Sequence, residues 1–311
     1  MTNPIIIGAG MAGLLAANML RRHNPEVVER QSSLPNNHHG VLRFRTLRVS
    51  EQTHIPFREV QVFKGVDESD PIRAALQYSC KVTKGYEVRS LISLEPCMRY
   101  IAPDNFIEQM ASGLTIGYGV DGLKYLLPDN RQDVGPIVST LPMPMLMDAT
   151  EYDGPRPDFR SLPGWSVSAT IDNCDVFVTR YFTNTMKQYY RASITGNILN
   201  VEFAGEKPAV SAAHFEQLVR DAVCSFGIFP DRILSVHEPK TSQYAKLATF
   251  SKEDRQKAKD FMFWATNQLG IFSLGRFATW RSGLLMDDVV DDVLKIERWM
   301  MQGNYERQKD L

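Results

Sequence analysis

Hydrophobic and polar positions at the start of the chain predict a strand, a tight turn and a helix in immediate succession. Ile5, Ile6 and Ile7 form a short β-branched run, which is typical of a buried strand in a parallel sheet. Leu14 and Met19 then follow at helical spacing. The residues at 8–13 read Gly-Ala-Gly-Met-Ala-Gly, so the pattern leaves no room for a longer loop between strand and helix.

The three glycines of this turn have the spacing of a dinucleotide-binding motif. Gly8 allows the tight turn, Gly10 lets the backbone approach a pyrophosphate, and Gly13 lets the helix pack closely on the strand. Met11 and Ala12 begin the helix, where free N–H groups and the positive end of the dipole favour phosphate. The alternative interpretation is a generic βαβ unit that binds no ligand.

The next predicted strand, at 25–30, ends on an acid. Glu29 lies about twenty residues beyond the first glycine, the distance at which such motifs place a ribose-binding carboxylate. Its charge argues against a 2′-phosphate at that position, and Arg30 beside it is a further candidate contact. The acid, the glycine spacing and the strand–helix context together favour a nucleotide site.

Alternating polar and apolar residues predict a sheet in the middle of the chain. The candidate strands lie at 167–171, 176–182, 188–194 and 198–203. Turn residues at 172–173 and 195–197 separate them, and such short connections favour antiparallel pairing.

Helical periodicity predicts helices after Asp70 and Pro103, two more at 211–226 and 251–269, and a terminal one from Met286. Asp70 and Ser251 are candidate N-caps.

A three-strand meander is predicted between the second helix and the alternating region. Residues 114–120 form its first strand, Asp121-Gly122 has the composition of a hairpin turn, and 123–127 form the returning strand. A strand at 136–142 then rejoins the first sheet.

Composition narrows the class of protein without identifying a partner. The 311 residues are 43% hydrophobic and 23% charged with a net charge of -1, as in ordinary globular proteins. No apolar run has the length of a membrane span, and the chain starts in a strand without a basic leader, which predicts a cytoplasmic protein. The four cysteines show neither a C-x-x-C pair nor metal-ligand spacing, so we expect buried thiols in a reducing compartment and no metal.

One local basic cluster departs from this neutral balance. His38, His39, Arg43, Arg45 and Arg48 occur without an acid among them. The cluster favours a loop that faces phosphate or carboxylate over a solvated strand. It is also the only feature that would support a nucleic-acid partner.

Four features together resemble FAD enzymes of the amine oxidase and UDP-galactopyranose mutase clan. They are the glycine motif, Glu29, the strand end Ser139-Thr140-Leu141-Pro142, and the late pair Gly275-Arg276 followed by Met286-Asp287. The resemblance implies an α/β fold, in which an FAD-binding Rossmann-like ββα domain carries an inserted substrate domain of mainly antiparallel β-sheet plus helices. The FAD-binding domain would comprise 1–50, 101–146 and 266–311, and the substrate domain 51–100 and 147–265.

The resemblance also implies positions for the cofactor, which we expect to be noncovalent because no Cys or His stands in an attachment motif. In this clan a late strand ends beside the pyrophosphate, and the following helix points its N-terminus at the flavin pyrimidine carbonyl. The implied cofactor contacts beyond the first motif are Val120, Thr140, Gly275, Arg276, Met286 and Asp287, with Thr46 and one or both of Arg43 and Arg45. The clan has a glycine pair before those arginines. Only Gly40 stands here, so which arginine meets the cofactor is left open.

The reaction is less well defined by the sequence. An FAD-dependent oxidase or C–N lyase acting on an amine or amino acid group is the first hypothesis, with Lys246, Tyr189, Trp280 and Arg281 as candidate catalytic or pocket residues. Tyr190 neighbours Tyr189, and only one of the two would face the pocket. The alternatives are a mutase-like, non-redox flavin enzyme acting on a sugar nucleotide and a non-catalytic flavin-binding protein. The amine is predicted to be a small molecule or attached to a polymer such as nucleic acid with a modified base.

Overall fold

The computed structural model describes residues 3–34, 42–83, 91, 94–126 and 135–302. The strands are β1 Ile5–Ile7, β2 Glu26–Glu29, β3 Arg43–Phe44, β4 Arg58–Val66, β5 Cys97–Ile101, β6 Thr115–Tyr118, β7 Ile137–Ser139, β8 Ser161–Ile171, β9 Val176–Tyr181, β10 Arg191–Gly196, β11 Ile198–Ala204, β12 Ile233–Val236, β13 Lys240–Leu247 and β14 Ile271–Ser273. The helices are α1 Met11–Met19, α2 Arg48–Thr53, α3 Pro71–Thr83, α4 Phe106–Ala111, α5 Met143–Ala149, α6 Ala212–Cys224, α7 Lys252–Leu269 and α8 Met286–Gln302.

A parallel sheet forms the first layer, in the order β14-β7-β1-β2-β6. Strand β1 lies at its centre, so that Ile6 pairs with Val27 on one side and Val138 on the other. Every residue of β1, β7 and β14 is buried, and all of them are apolar except the serines that end β7 and β14, as expected for strands covered on both faces. Because all the strands run in one direction, their carboxyl ends meet at one edge, where nucleotide sites form in such sheets.

Helices cover both faces of the parallel sheet. Leu14 of α1, Phe106 of α4 and Val293 of α8 belong to one apolar core. Leu146 of α5 and Phe261 of α7 belong to the core on the opposite face. The sheet is therefore the middle of three layers. The edge formed by the carboxyl ends of its strands remains available for contacts with the second sheet.

The second sheet has the order β12-β8-β11-β10-β9-β4-β5-β3, with β13 also paired to β8. Neighbouring strands are antiparallel except β4 and β9, which run parallel. The antiparallel order predicted for residues 167–203 is confirmed. The third of those strands begins at Arg191, later than predicted, because residues 185–188 form turns and bends.

The two faces of this sheet differ in polarity. Ala192 and Val201 belong to the apolar core that α6 completes. Arg191, Ser193 and Glu202 alternate with them, and the strand register pairs Arg191 with Glu202. These polar residues therefore share the face opposite α6.

The predicted meander is wrong. Strand β6 lies parallel to β2 in the first sheet, and residues Gly122–Tyr125 form a 3₁₀ helix where a returning strand was predicted. Asp121 is not part of a hairpin turn, because its carboxylate accepts from the Leu123 N–H and caps that helix. Residue 127, the predicted strand end, lies outside the described residues.

The fold class is confirmed as an α/β architecture with an FAD-binding type of Rossmann sheet and a second, mainly antiparallel sheet. The domain boundaries stay a prediction, and β3 of residues 1–50 pairs within the second sheet. Asp70 and Ser251 cap their helices as predicted, since each side chain accepts from N–H groups of the first turn. Within the described segments, no helix combines the length and apolarity needed to cross a membrane.

Candidate functional site

Two of the glycines in the first turn are required by packing. Gly8 has φ +100°, and a Cβ there would lie 2.3 Å from Thr140 Oγ1. A Cβ at Gly13 would lie 1.9 Å from the carbonyl oxygen of Gly8. Strand β1, helix α1 and the end of β7 can approach this closely only because both residues lack side chains.

Gly10 differs, because no contact with the described residues requires a glycine there. Its φ of -72° suits any residue, and a Cβ at Gly10 would meet no atom of the described residues within 4 Å. Gly10 is also the N-cap of α1, and no side chain caps that helix end. An open space therefore lies against the N–H groups that begin α1, as a bound pyrophosphate requires. The residues present fit the phosphates of a dinucleotide.

Glu29 is placed at the same edge and also stabilises the turn. Its Oε2 accepts from the Ala9 N–H at 2.8 Å, and its Oε1 accepts from the Gln31 N–H at 2.9 Å. Each carboxylate oxygen keeps a second lone pair that a ribose hydroxyl can use. Val120 lies beside it, donating its N–H to the Glu29 carbonyl, whereas the Arg30 side chain is exposed.

We expect Glu29→Ala to weaken FAD binding by one to a few kcal/mol, roughly the value of hydrogen bonds to a charged group. It should also lower the free energy of unfolding, because the Ala9 N–H loses its acceptor. Flavin fluorescence titration and urea unfolding measure the two effects separately. Lower stability with unchanged FAD affinity would limit Glu29 to holding the turn.

Gly275, which follows strand β14, lies at the same edge of the parallel sheet. Gly275 follows β14 with φ +88°, and a Cβ there would lie 3.0 Å from the Ala12 Cβ. Thr140, at the end of β7, donates its hydroxyl to the Ile7 carbonyl at 2.8 Å. The predicted contacts Gly8, Ala12, Thr140 and Gly275 are thus brought together around the start of α1.

The start of α8 is joined to the segment after β3. Asp287 accepts from the Thr46 hydroxyl at 2.5 Å and from the Arg45 N–H at 3.3 Å. Arg48 pairs with Asp291 one turn further along α8. These contacts fix the N-terminus of α8 beside Thr46, and contact of this helix end with a flavin stays a prediction.

A cavity of about 370 Å³, here called cavity A, lies between these helix ends and the second sheet. Met11 of α1 and Met286 of α8 line one side. The sheet wall is polar and cationic, and its lining includes Arg43, Lys64, Arg99, Thr179, Tyr181 and Arg191. Burial lowers the pKa of Arg43, and the neighbouring positive charge of Arg191 lowers it further.

A second cavity of about 800 Å³, here called cavity B, lies further along the same sheet. Its aromatic lining comprises Trp165, Tyr190, Phe203, Tyr244 and Phe277. Lys246, on β13, places its Nζ 4.6 Å from the centre of the Tyr190 ring. Lys240, Glu202 and Arg276 complete the charged lining, and Arg276 donates to the Ala245 carbonyl at 3.2 Å.

An ion pair joins the two cavities. Arg191 lines cavity A and donates its Nη2 to Glu202 Oε1 at 2.7 Å, while Glu202 lines cavity B. The Tyr190 hydroxyl donates to the same oxygen at 3.1 Å. Burial acts to raise the pKa of Glu202, but the charge and hydrogen bonds of Arg191 outweigh it and bring that pKa to about 2. Glu202 is therefore an anion at neutral pH.

The predicted catalytic residues separate in the structure. Lys246 lines cavity B, but Tyr189 is buried against Phe182 and Phe203, and Tyr190 takes the cavity-facing position in its place. Trp280 and Arg281 line a different cavity, between α7 and α8, where Arg281 pairs with Asp292.

Lys64, Arg99 and Glu202 were missed by the sequence predictions. The pairing of Arg191 with Glu202 had a signal, since counting outward from the turn at 195–197 sets these two residues opposite each other.

No family model matches the chain, and no curated protein matches it in sequence. Solved structures do match in fold. A reduced UDP-galactopyranose mutase superposes with a TM-score of 0.73 at 12% identity, covering 100% of this chain and 96% of its own. A fatty acid isomerase from P. acnes gives a TM-score of 0.61 at 12% identity, covering 96% of this chain and 98% of its own. A p-nitrophenol 4-monooxygenase from Pseudomonas putida gives a TM-score of 0.55 at 12% identity, covering 100% of this chain and 84% of its own.

The chain has the fold of FAD-binding flavoenzymes. The resemblance derived from the glycine motif, Glu29 and the late Gly275-Arg276 element is confirmed at this level.

Proposed function

We propose that the chain is an enzyme that binds FAD noncovalently along the edge where β1, β2, β7 and β14 end. The single observation that carries this proposal is the open, uncapped start of α1 at Gly10. The residues around Gly8–Gly13, Thr140 and Gly275 would hold the pyrophosphate, Glu29 the ribose, and the start of α8 the flavin ring. When bound, the flavin supplies an acceptor for a hydride or, in its reduced form, a nucleophile.

We place the substrate in cavity B and propose oxidation or cleavage of a C–N bond in an amine or amino acid group. Aromatic walls exclude water and can pack against an uncharged amine. The positive charges of Lys246 and Arg276 disfavour a further positive charge in the cavity, so they would lower the pKa of a bound ammonium and favour the neutral amine. Only the neutral amine can lose a hydride from its α-carbon, and water then converts the imine to a carbonyl compound and ammonia. Lys246 is suited to hold that water.

The proposed carrier of the amine is a small molecule or a polymer such as nucleic acid with a modified base. Among the described residues of the basic cluster, Arg43 and Arg45 line cavity A, where they would meet the phosphates of a polymer, and Arg48 pairs with Asp291. The full-length likeness to a UDP-galactopyranose mutase favours a second candidate, a non-redox reaction of reduced flavin with a sugar nucleotide.

Anaerobic mixing distinguishes the two candidates. A true amine substrate should bleach the oxidised flavin band without any added reductant. A wide panel of amines and amino acids that leaves the band intact would exclude amine oxidation. Isomerisation of a sugar nucleotide only after dithionite reduction would support the second candidate.

We expect Lys246→Met to slow flavin reoxidation or imine hydrolysis by on the order of a hundredfold, the lower range for loss of a positioned proton-transfer group. The substrate's dissociation constant should change much less. Stopped-flow absorbance measures both quantities. Lys259→Met is the matched control, since Lys259 lies in the cavity between α7 and α8 and should leave both unchanged.

A further inference from the structure

The sheet wall of cavity A carries three cations that the described part of the chain does not neutralise. Arg43, Lys64 and Arg99 come from β3, β4 and β5, and no described residue forms an ion pair with any of them. Among the described lining residues the one acid is Asp287, which already accepts from Thr46 and Arg45. The cluster is distinct from the Arg191–Glu202 pair, whose charges balance.

Strand pairing brings the three side chains to one place. Lys64 lies beside Thr179 of the neighbouring strand β9, and Arg43 Nη1 donates to Thr179 Oγ1 at 3.2 Å. Arg43 itself pairs with Ile101 of β5, two residues from Arg99 and on the same face. Arg43 thus donates to the Thr179 hydroxyl, Lys64 lies on the strand next to Thr179, and Arg99 lies on the adjoining strand, with all three lining cavity A.

Like charges gathered in a half-buried cavity repel one another unless an anion lies among them. Burial is the main cause that lowers the pKa of Arg43, and the charges of Arg191 and Arg99 lower it further, while Glu202 and Tyr181 act to raise it. The first turns of α1 and α8 face the same space through Met11 and Met286, and helix N-termini add positive potential. The cavity is therefore suited to a group with more than one negative charge.

We propose that Arg43, Lys64 and Arg99 bind a dianionic phosphate ester group of the substrate against the sheet wall of cavity A. Two guanidinium groups can donate paired N–H bonds to phosphate oxygens, and Lys64 adds a point charge. The assignment of this phosphate group to the substrate rests on the proposed function as a flavin enzyme. The existence of an anion site in cavity A does not depend on the cofactor.

The test is a titration of the FAD-loaded protein with inorganic phosphate, and with acetate, at constant ionic strength. Phosphate should bind saturably, shift the flavin absorbance and raise the melting temperature, while acetate should bind at least about tenfold more weakly. Lys64→Met and Arg99→Met should each raise the phosphate Kd at least about tenfold, since each removes a charge-assisted contact. Arg58→Met is the matched control, because it removes one charge from the same strand, in an exposed pair with Asp175, and should leave the Kd unchanged.

Calorimetric titration of Gly10→Val with phosphate tests the anion site separately from the proposed FAD-binding function, because that variant is designed to lose FAD and keep cavity A. Phosphate binding there, with the same dependence on Lys64, would support the anion site even if wild-type protein bound no flavin. Equal affinity for acetate and phosphate, or a Kd insensitive to Lys64 and Arg99, would overturn it. Release of FAD by phosphate would assign the cluster to the cofactor and overturn the assignment to substrate.

Discussion

Gly10→Val is expected to abolish FAD binding while leaving the fold and stability of the chain close to those of the wild type. The added side chain would occupy the open space against the start of α1, where the pyrophosphate would otherwise approach. Its backbone angles suit valine, and among the residues that the structure describes no atom lies within 4 Å of the new Cβ. Absorbance of the purified protein and FAD titration measure binding, and urea unfolding measures stability.

The other glycines of the chain provide the controls. Gly13→Ala should destabilise the protein itself, because its Cβ would overlap the Gly8 carbonyl oxygen. Gly283→Val, in a loop where a Cβ also meets nothing within 4 Å, should change neither FAD binding nor stability. If Gly10→Val still bound FAD at wild-type affinity, the cofactor could not lie against α1, and the proposed function would fail.

Features fixed by a few neighbouring residues were predictable from the sequence. The motif predicts glycine where the turn is tight and where the helix packs on the strand; Gly8 has a positive φ, and Gly13 packs against the Gly8 carbonyl oxygen. The apolar stripe of α8 and the caps at Asp70 and Ser251 are likewise local, and each is found where the pattern indicated. The alternation of apolar and polar residues alone predicts which side chains at 167–203 share a face of the sheet.

Features that depend on distant packing were not predictable. Asp-Gly at 121–122 is compatible with a hairpin, and only the pairing of β6 with β2 excludes it. Tyr189 and Tyr190 are both buried, each in a different apolar cluster, and only the packing of distant segments gives Tyr190 the position that lines cavity B. Lys64 and Arg99 lie in ordinary alternating segments, so nothing local marks them. They become part of a site only when β4 and β5 are placed against the N-termini of α1 and α8.

The same dependence on packing makes Glu202 the most sensitive polar residue of the second sheet. Its side chain is 17% exposed and pairs with Arg191, which is 35% exposed, while Tyr190 donates to it as well. Removing the carboxylate leaves a half-buried guanidinium without its counter-charge, and such a loss is costly. The pair also forms the boundary between cavities A and B, so the change would alter both.

Glu202→Ala is therefore expected to lower the free energy of unfolding by about 3 kcal/mol at pH 7, the value that a pKa lowered from 4.5 to about 2 implies. Because the folded-state pKa is depressed, this stabilisation is complete above the unfolded-state pKa and is lost as the pH falls towards 2. The gap between wild type and variant should thus shrink to roughly half by pH 3. Urea unfolding at pH 7, 5, 4 and 3 measures it. Asp148→Ala, which breaks the exposed pair with Arg156, should cost at most about 0.5 kcal/mol. A gap that stayed constant down to pH 3 would show that the loss arises from packing and not from the ion pair.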